Sequence, residues 1–307
     1  MPDTFLVTGA LGCIGAWACR QLVGEGAGVV GFDLGDSRHR HELVMSPAER
    51  AAVTMVHGDL TDLAALERVL AEHGITHVIH LAAMQIPLAR ADPPRAAQVN
   101  VAGTVNVFAA AKRHGLRGLA YASSTAVFGR DDGVRVDEDA DGHPATHYGV
   151  HKVANEGAAR IYWQDDGIAS IGLRPYVVYG PGRDQGMTAE PTKAMAAAAR
   201  GEGFHMAFGG RMQMHYAPAT AGAFVAAARA AQEGAVVRHL GGPPVHMSEV
   251  VAAIEAVVPE VRGQVTFDEA PLPHPEELEA SAPVDVPLER GVRETIELFR
   301  AVAPPRG

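Results

Sequence analysis

The segment "FLVTGALGCIGAWACRQL" begins at Phe5 and constrains the fold more than any other in the chain. A short strand-like run ends in Gly9, Gly12 and Gly15, and an amphipathic stretch, Ile14–Glu25, follows at once. Glycines between a strand and a helix let an anionic group approach the backbone. Free N–H groups and the helix dipole favour negative charge there, so the spacing predicts a pyrophosphate cradle. The next strand-like run, "VVGFD", ends in Asp33, placed to accept hydrogen bonds from a ribose diol. The same carboxylate repels a 2′-phosphate, which favours NAD over NADP, although Arg38 and Arg40 follow closely and soften that preference.

Further strands are expected at Gly28–Asp33, Val53–His57, His77–Ala82, Gly118–Ser123 and Ala169–Arg174, with helical patterns at Leu63–His73, Ala96–His114 and Tyr148–Asp165. Strands alternating with helices predict an α/β fold, a doubly wound parallel (Rossmann) sheet covered on both faces. After Pro175 prolines divide the chain into shorter pieces, while helical periodicity persists at Lys193–Arg200, Ala221–Gln232, Met247–Val258 and Leu288–Val302. The expected organisation is a dinucleotide-binding domain over 1–174, rejoined by 216–242, and a smaller C-terminal substrate domain from 175–215 and 243–307.

With 47% hydrophobic residues, the 307-residue chain can bury a substantial core. A net charge of −10 argues against a general attraction to nucleic acid or acidic membranes, and no apolar run approaches the ~20 residues of a spanning helix. A strand-like segment from Thr4 leaves no room for a signal peptide, and Cys13 and Cys19 read as reduced packing residues, so a cytoplasmic setting is expected. The fifteen histidines show no metal-ligand spacing, and no metal is expected.

In "THYGVHK", Tyr148 and Lys152 lie four apart, on one side of a helix. Together with "HGDL" (57–60), "HLAA" (80–83), "VNVAGT" (99–104), "ASSTAVFG" (122–129) and "LRPYVVYGPG" (173–182), the chain resembles the extended short-chain dehydrogenase/reductase superfamily. The closer likeness is to its NAD-dependent sugar epimerase/dehydratase branch, and it runs in order from residue 4 to about 220.

The resemblance implies that Gly9, Gly12 and Gly15 cradle NAD with Leu11, Cys13 and Ile14 supplying backbone, Asp59 and Leu60 beside the adenine, and Leu81, Ala82 and Ala83 lining the dinucleotide. Asn100 matches a structural asparagine near the site, and Pro175, Val177 and Val178 fall in a cofactor-side segment. Ser124 matches the catalytic hydroxyl, with Thr125 as its neighbouring alternative, and Tyr148 and Lys152 match the YxxxK pair. Chemically, a phenol of pKa about 10 is a poor base near neutrality, and a fixed ammonium beside it favours phenolate. Gln85, Arg183 and Arg211 are polar candidates for the substrate, and an arginine fork suits a carboxylate or phosphate. His147 and His151, flanking the pair, are expected to be structural or solvated.

The sequence departs from the branch at Val177, where an asparagine usually helps hold a substrate diphosphate, and at Met212 and Pro218, where acidic residues are usual. Thr125-Ala126 replaces the acid pair of the dehydratases, which ranks dehydration last. The leading expectation is a sugar epimerase, the alternative a dehydrogenase of a small sugar, polyol or sugar acid that releases NADH. A non-catalytic NAD-binding regulator is a lesser alternative. A homodimer through Ala96–His114 and Tyr148–Asp165 is implied by the same resemblance.

Overall fold

The computed structural model describes residues 3–280, 284 and 286–302. Its strands are β1 (Thr4–Thr8), β2 (Gly28–Asp33), β3 (Val53–His57), β4 (His77–His80), β5 (Gly118–Ala122), β6 (Arg135–Val136), β7 (Ser170–Arg174), β8 (Val177–Tyr179), β9 (Phe204–Met206), β10 (Arg211–Tyr216), β11 (Ala235–His239), β12 (Pro244–His246), β13 (Val265–Phe267) and β14 (Glu277–Leu278). Its α-helices are α1 (Cys13–Gly24), α2 (His39–Val44), α3 (Pro47–Ala51), α4 (Leu63–Glu72), α5 (Ile86–Ala91), α6 (Pro93–Ala97), α7 (Gly103–His114), α8 (His147–Asp166), α9 (Glu190–Ala199), α10 (Ala217–Arg229), α11 (Met247–Val257) and α12 (Leu288–Val302).

Seven strands form one parallel sheet in the order β11-β7-β5-β4-β1-β2-β3. Side chains alternate across it, as a strand's two-residue period requires. Phe5, Val7 and Val29 share a core with α1 and α10, whereas Leu6, Val30 and Phe32 point the other way, into a core with α4 and α7. Burial on both faces explains why these strands read as continuous apolar runs. The sheet reverses direction of growth beside β1, so the carboxyl ends of β1, β4, β5 and β7 open onto a crevice of the kind in which such sheets bind ligands.

Only Pro175 and Tyr176 separate β7 from β8, where the chain leaves the large sheet for a three-stranded one, β12-β10-β8. Val177 and Tyr179 of β8 pack there with Met195, Met212, Ile254 and Ile296 from α9, β10, α11 and α12. The chain then returns: α10 packs in the α1 core and β11 pairs in parallel with β7.

The stretch 96–114 is not one uniform helix. Between α6 and α7 lies a π-helical turn, Gln98–Ala102, a feature that often marks functional regions. There Asn100 accepts a hydrogen bond from the Met84 N–H at 2.7 Å and donates to the Met84 carbonyl at 2.9 Å. The wider turn thus fixes the loop that follows β4. His77–Ala82 is likewise strand only as far as His80, which frees Leu81–Ala83 to pass the glycine loop.

Candidate active site

Gly9 adopts φ +67°, and a Cβ on it would lie 2.8 Å from the Ala82 nitrogen. A Cβ on Gly15 would meet the Gly9 carbonyl oxygen at 2.2 Å. Both positions therefore exclude larger residues, and the first turn of α1 sits hard against the end of β1. Gly12 is the N-cap of α1 and provides no side-chain cap, leaving first-turn N–H groups for an outside acceptor. Gly9, Gly12, Cys13, Ile14 and Gly15 all line one cleft. Burial pushes the Cys13 thiol up to about 11, so it adds no negative charge to the loop.

Asp33 closes one end of the cradle. Its Oδ2 accepts from the Leu11 N–H at 2.9 Å and its Oδ1 from the Gly35 N–H at 3.0 Å. Arg40 is committed elsewhere: it donates to the Leu11 carbonyl, to the Gly182 carbonyl and to Asp184. Its charge is thereby matched by a carboxylate, which removes one of the two arginines that softened the preference for an unphosphorylated ribose. A loop that only glycines can form, uncapped N–H groups and an anchored terminal carboxylate fit the pyrophosphate and ribose of NAD.

Opposite the glycine loop stands the N-terminal turn of α8. Thr146 caps it, its Oγ1 accepting from the Gly149 N–H at 3.0 Å. A Cβ on Gly149 would lie 2.0 Å from the Ala126 carbonyl oxygen, so glycine lets α8 press against the turn Thr125–Val127. That contact brings Ser124 to Tyr148, near enough for the serine hydroxyl to favour the phenolate. Ser124 Oγ also accepts from the Ala126 N–H at 3.1 Å. Thr125 lines the cleft as well, but its enclosed Oγ1 has no partner.

One turn along α8, Lys152 is buried, with its Nζ donating to the Ala122 carbonyl and lying 5.3 Å from the centre of the Tyr148 ring. Burial lowers its pKa to about 8, against the pull of Glu156. Burial also raises the Tyr148 phenol, opposed by the Ser124 hydrogen bond and by the charge of Arg183. Desolvation therefore outweighs the charge of Arg183 at the phenol.

A buried network lies beneath these groups. Glu156 accepts from Ser123 Oγ at 2.5 Å and from Arg174 Nε and Nη2 at 2.8 Å each. Arg174 Nη1 also donates to His239 Nε2 at 3.0 Å, which makes that nitrogen an acceptor and leaves Nδ1–H to donate to the Glu279 carbonyl. This set leaves little trace in the sequence, since its members lie just after β5 and on α8, β7 and β11. His80 shows the same economy: it bridges Thr8 and Thr104 at 2.7 and 2.9 Å, and burial lowers its pKa to about 3. Among the described residues no cluster of His, Cys, Asp and Glu is placed to hold a metal ion.

Of the other expected residues, Leu81, Ala83, Gln85, Pro175, Val178 and Arg183 line the cleft, and Ala82 backs Gly9. Several others are turned away from it. Val177 points into the second core. Asp59 pairs with Arg95 at 2.6 Å, and Leu60 packs under Gly103. Asn100 is buried and acts through the Met84 loop, with His151 Nδ1 3.3 Å away. Arg211, at the start of β10 opposite His246, lies on the surface, where it donates to the Pro244 carbonyl. His215 is buried and accepts the Tyr176 N–H, which explains its presence without a ligand. Tyr176, Met187, Thr188 and His274 also line the cleft and were not anticipated. Thr188 lay within reach of a sequence argument, five residues after Arg183, whereas His274 comes from a proline-rich segment with no periodicity.

A glycine cradle at the carboxyl edge of a parallel sheet, facing a serine–tyrosine–lysine set, defines a Rossmann-type chain of the extended short-chain dehydrogenase/reductase class. Residues 5–239 match the NAD dependent epimerase/dehydratase family, and the chain belongs to it. UDP-glucuronate 4-epimerase 2 of Arabidopsis thaliana is 35% identical over 182 residues, 57% of this chain and 42% of that protein. The matched stretch thus spans less than half of that relative. Among solved structures, Thermus thermophilus UDP-glucose 4-epimerase in complex with NAD superposes with a TM-score of 0.82 at 24% identity, covering 98% of this chain and 100% of that one. L-threonine dehydrogenase from Clostridium difficile gives 0.85 at 20% identity, with 98% of each chain covered. At these identities the likeness is one of fold.

Proposed function

We propose that this chain binds NAD and oxidises a secondary alcohol of a sugar or sugar-derived substrate, with Tyr148 as base, Lys152 as its electrostatic partner and Ser124 holding the substrate oxygen. The observation that carries this reading is the convergence of Ser124, Tyr148 and Lys152 on the cleft that the glycine loop also lines. The residues proposed to hold the cofactor are Gly9, Leu11–Gly15 and Asp33, with Leu81–Ala83, Pro175, Val178 and Lys152 along the cleft. When bound, NAD would supply the acceptor for a hydride from the carbinol carbon. Tyr148 Oη receives the hydroxyl proton, and Ser124 Oγ hydrogen-bonds the same oxygen as it gains carbonyl character. The Lys152 ammonium favours the phenolate and is suited to hold ribose hydroxyls. Glu156, through Ser123 and Arg174, keeps β5, α8 and β7 in register around these groups.

We assign epimerisation as the first reading, on the family and its epimerase relatives. A dehydrogenase of a small substrate is the second, favoured by Val177 lying in the core where the branch usually presents an asparagine to a diphosphate. With Cys13 and Cys19 both free, a reducing cytoplasmic setting suits the protein.

The test is a substrate panel run with wild type and Tyr148→Phe, following both NADH absorbance and isomer composition. Turnover falling about 10²- to 10⁴-fold in the variant, with NAD affinity retained, is expected. Isomer change without free NADH identifies the epimerase, and NADH accumulation the dehydrogenase. A Tyr148→Phe protein that turns over like wild type overturns the assignment.

A further inference from the structure

Arg183 follows the "YGPG" turn, which packs on the first turn of α1, and lines the cleft. Among the described residues its guanidinium makes no ion pair. Its adjoining residue Asp184 is turned to Arg40 and His39 instead. Arg183 Nη1 reaches Gln85 Oε1 only at 3.4 Å, Nη2 donates to Thr188 Oγ1 at 3.1 Å, and Nε is shut off from water without an acceptor. An arginine with neutral partners and one donor unmet is costly to keep, because a charged group's desolvation is repaid only by full pairing.

The surroundings are built for this side chain. Gly186 has φ +95°, and a Cβ there would meet Gln85 Oε1 at 2.2 Å and Arg183 Nη2 at 3.2 Å. Only glycine lets Gln85 and Arg183 close on one another. The described residues lining the cleft include two basic side chains, Lys152 and Arg183, and no Asp or Glu, although the chain as a whole carries a charge of −10. The uncapped α1 terminus already answers the cofactor's pyrophosphate, and the oxidised nicotinamide would bring a further positive charge. The missing negative charge belongs to the second ligand.

We propose that the substrate alcohol carries a carboxylate, and that Arg183, with Gln85 and Thr188, is the anchor that holds it beside Tyr148. This rests on the reading of the cleft as an NAD and alcohol site, and names the class of alcohol. A planar two-oxygen anion matches the two-donor edge of a guanidinium, and pairing would release Gln85 from a long, weak contact.

The experiment titrates NAD-loaded protein by calorimetry with three acid and neutral pairs: glucuronate and glucose, UDP-glucuronate and UDP-glucose, and L-threonine and L-threoninol. In at least one pair the acid is expected to bind about 10- to 100-fold tighter, the range a charge-assisted pair supplies. Arg183→Gln removes that preference, Arg183→Lys restores part of it, and NAD affinity stays within about twofold in both. Thermal melts with saturating NAD verify that each variant is folded; should Arg183→Gln not fold, the comparison of wild type with Arg183→Lys carries the test. Equal or absent binding of acid and neutral members in every pair overturns the proposal, as does an NAD affinity that falls with the guanidinium, which would assign Arg183 to the pyrophosphate. These outcomes are separate from the Tyr148→Phe result: acid preference can fail while hydride chemistry stands, and the reverse.

Discussion

Burial acts on Tyr148 and Lys152 in the same sense, pushing each towards its neutral form: the phenol is raised and the amine is lowered to about 8. Burial therefore opposes the working ionisation of both groups. For the lysine, the cost of a buried ammonium is in full force below pH about 8 and is relieved as pH rises towards the value of an unfolded lysine. An ammonium that holds cofactor hydroxyls links binding to protonation in the opposite direction. NAD affinity should accordingly be constant below pH about 8 and weaken above it, by up to about tenfold per pH unit. Calorimetric titration across pH 6.5–9.5, paired with Lys152→Met, checks this: the variant should bind weakly at every pH and show no slope. A wild-type affinity that does not change with pH would separate Lys152 from the cofactor.

At the scale of elements, the site depends on how closely α8 can lie against the turn Thr125–Val127. Gly149 permits that approach, with its α-hydrogen where any Cβ would sit 2.0 Å from the Ala126 oxygen. Gly149→Ala is expected to lower stability by about 1–3 kcal/mol, as overpacking does, and to cut turnover more than NAD affinity, because it parts Ser124 from Tyr148. Denaturant unfolding and steady-state kinetics together test it; unaltered kinetics would mean that the turn and the helix adjust independently. The parallel strands and most helices were legible because their apolar periodicity is strong, and α12 was legible to the residue. The π-helical turn was not, since periodicity carries no sign of one added residue in the Ala96–His114 pattern. The Ser123–Glu156–Arg174–His239 set was equally hidden, because its charges pair between elements 18 to 65 residues apart. The surroundings of Arg211 were hidden for a related reason: motif register gave its position along the chain but not its partners, the Pro244 carbonyl and Glu249.

For the whole molecule, α8 leaves a stripe of apolar side chains in solvent: Val150, Val153 and Ile161 are 52%, 39% and 47% exposed. They recur at helical spacing, and Gly157 lies among them with open space around its α-carbon. Such a stripe suits a two-fold contact with a second copy, and we expect a homodimer that Val153→Glu with Ile161→Glu converts to monomer. Light scattering after size exclusion decides it, and a monomeric wild type removes the dimer. The junction between the two sheets has its own consequence. Pro175 and Tyr176 are all that join β7 to β8, and the Pro175 carbonyl accepts the Thr125 N–H at 3.0 Å while the Tyr176 N–H is tied to His215. The passage between the two layers is thus pinned on both sides, so a change of packing around His215 in the small sheet is felt, through two adjacent peptide units, at the turn that carries the reacting serine.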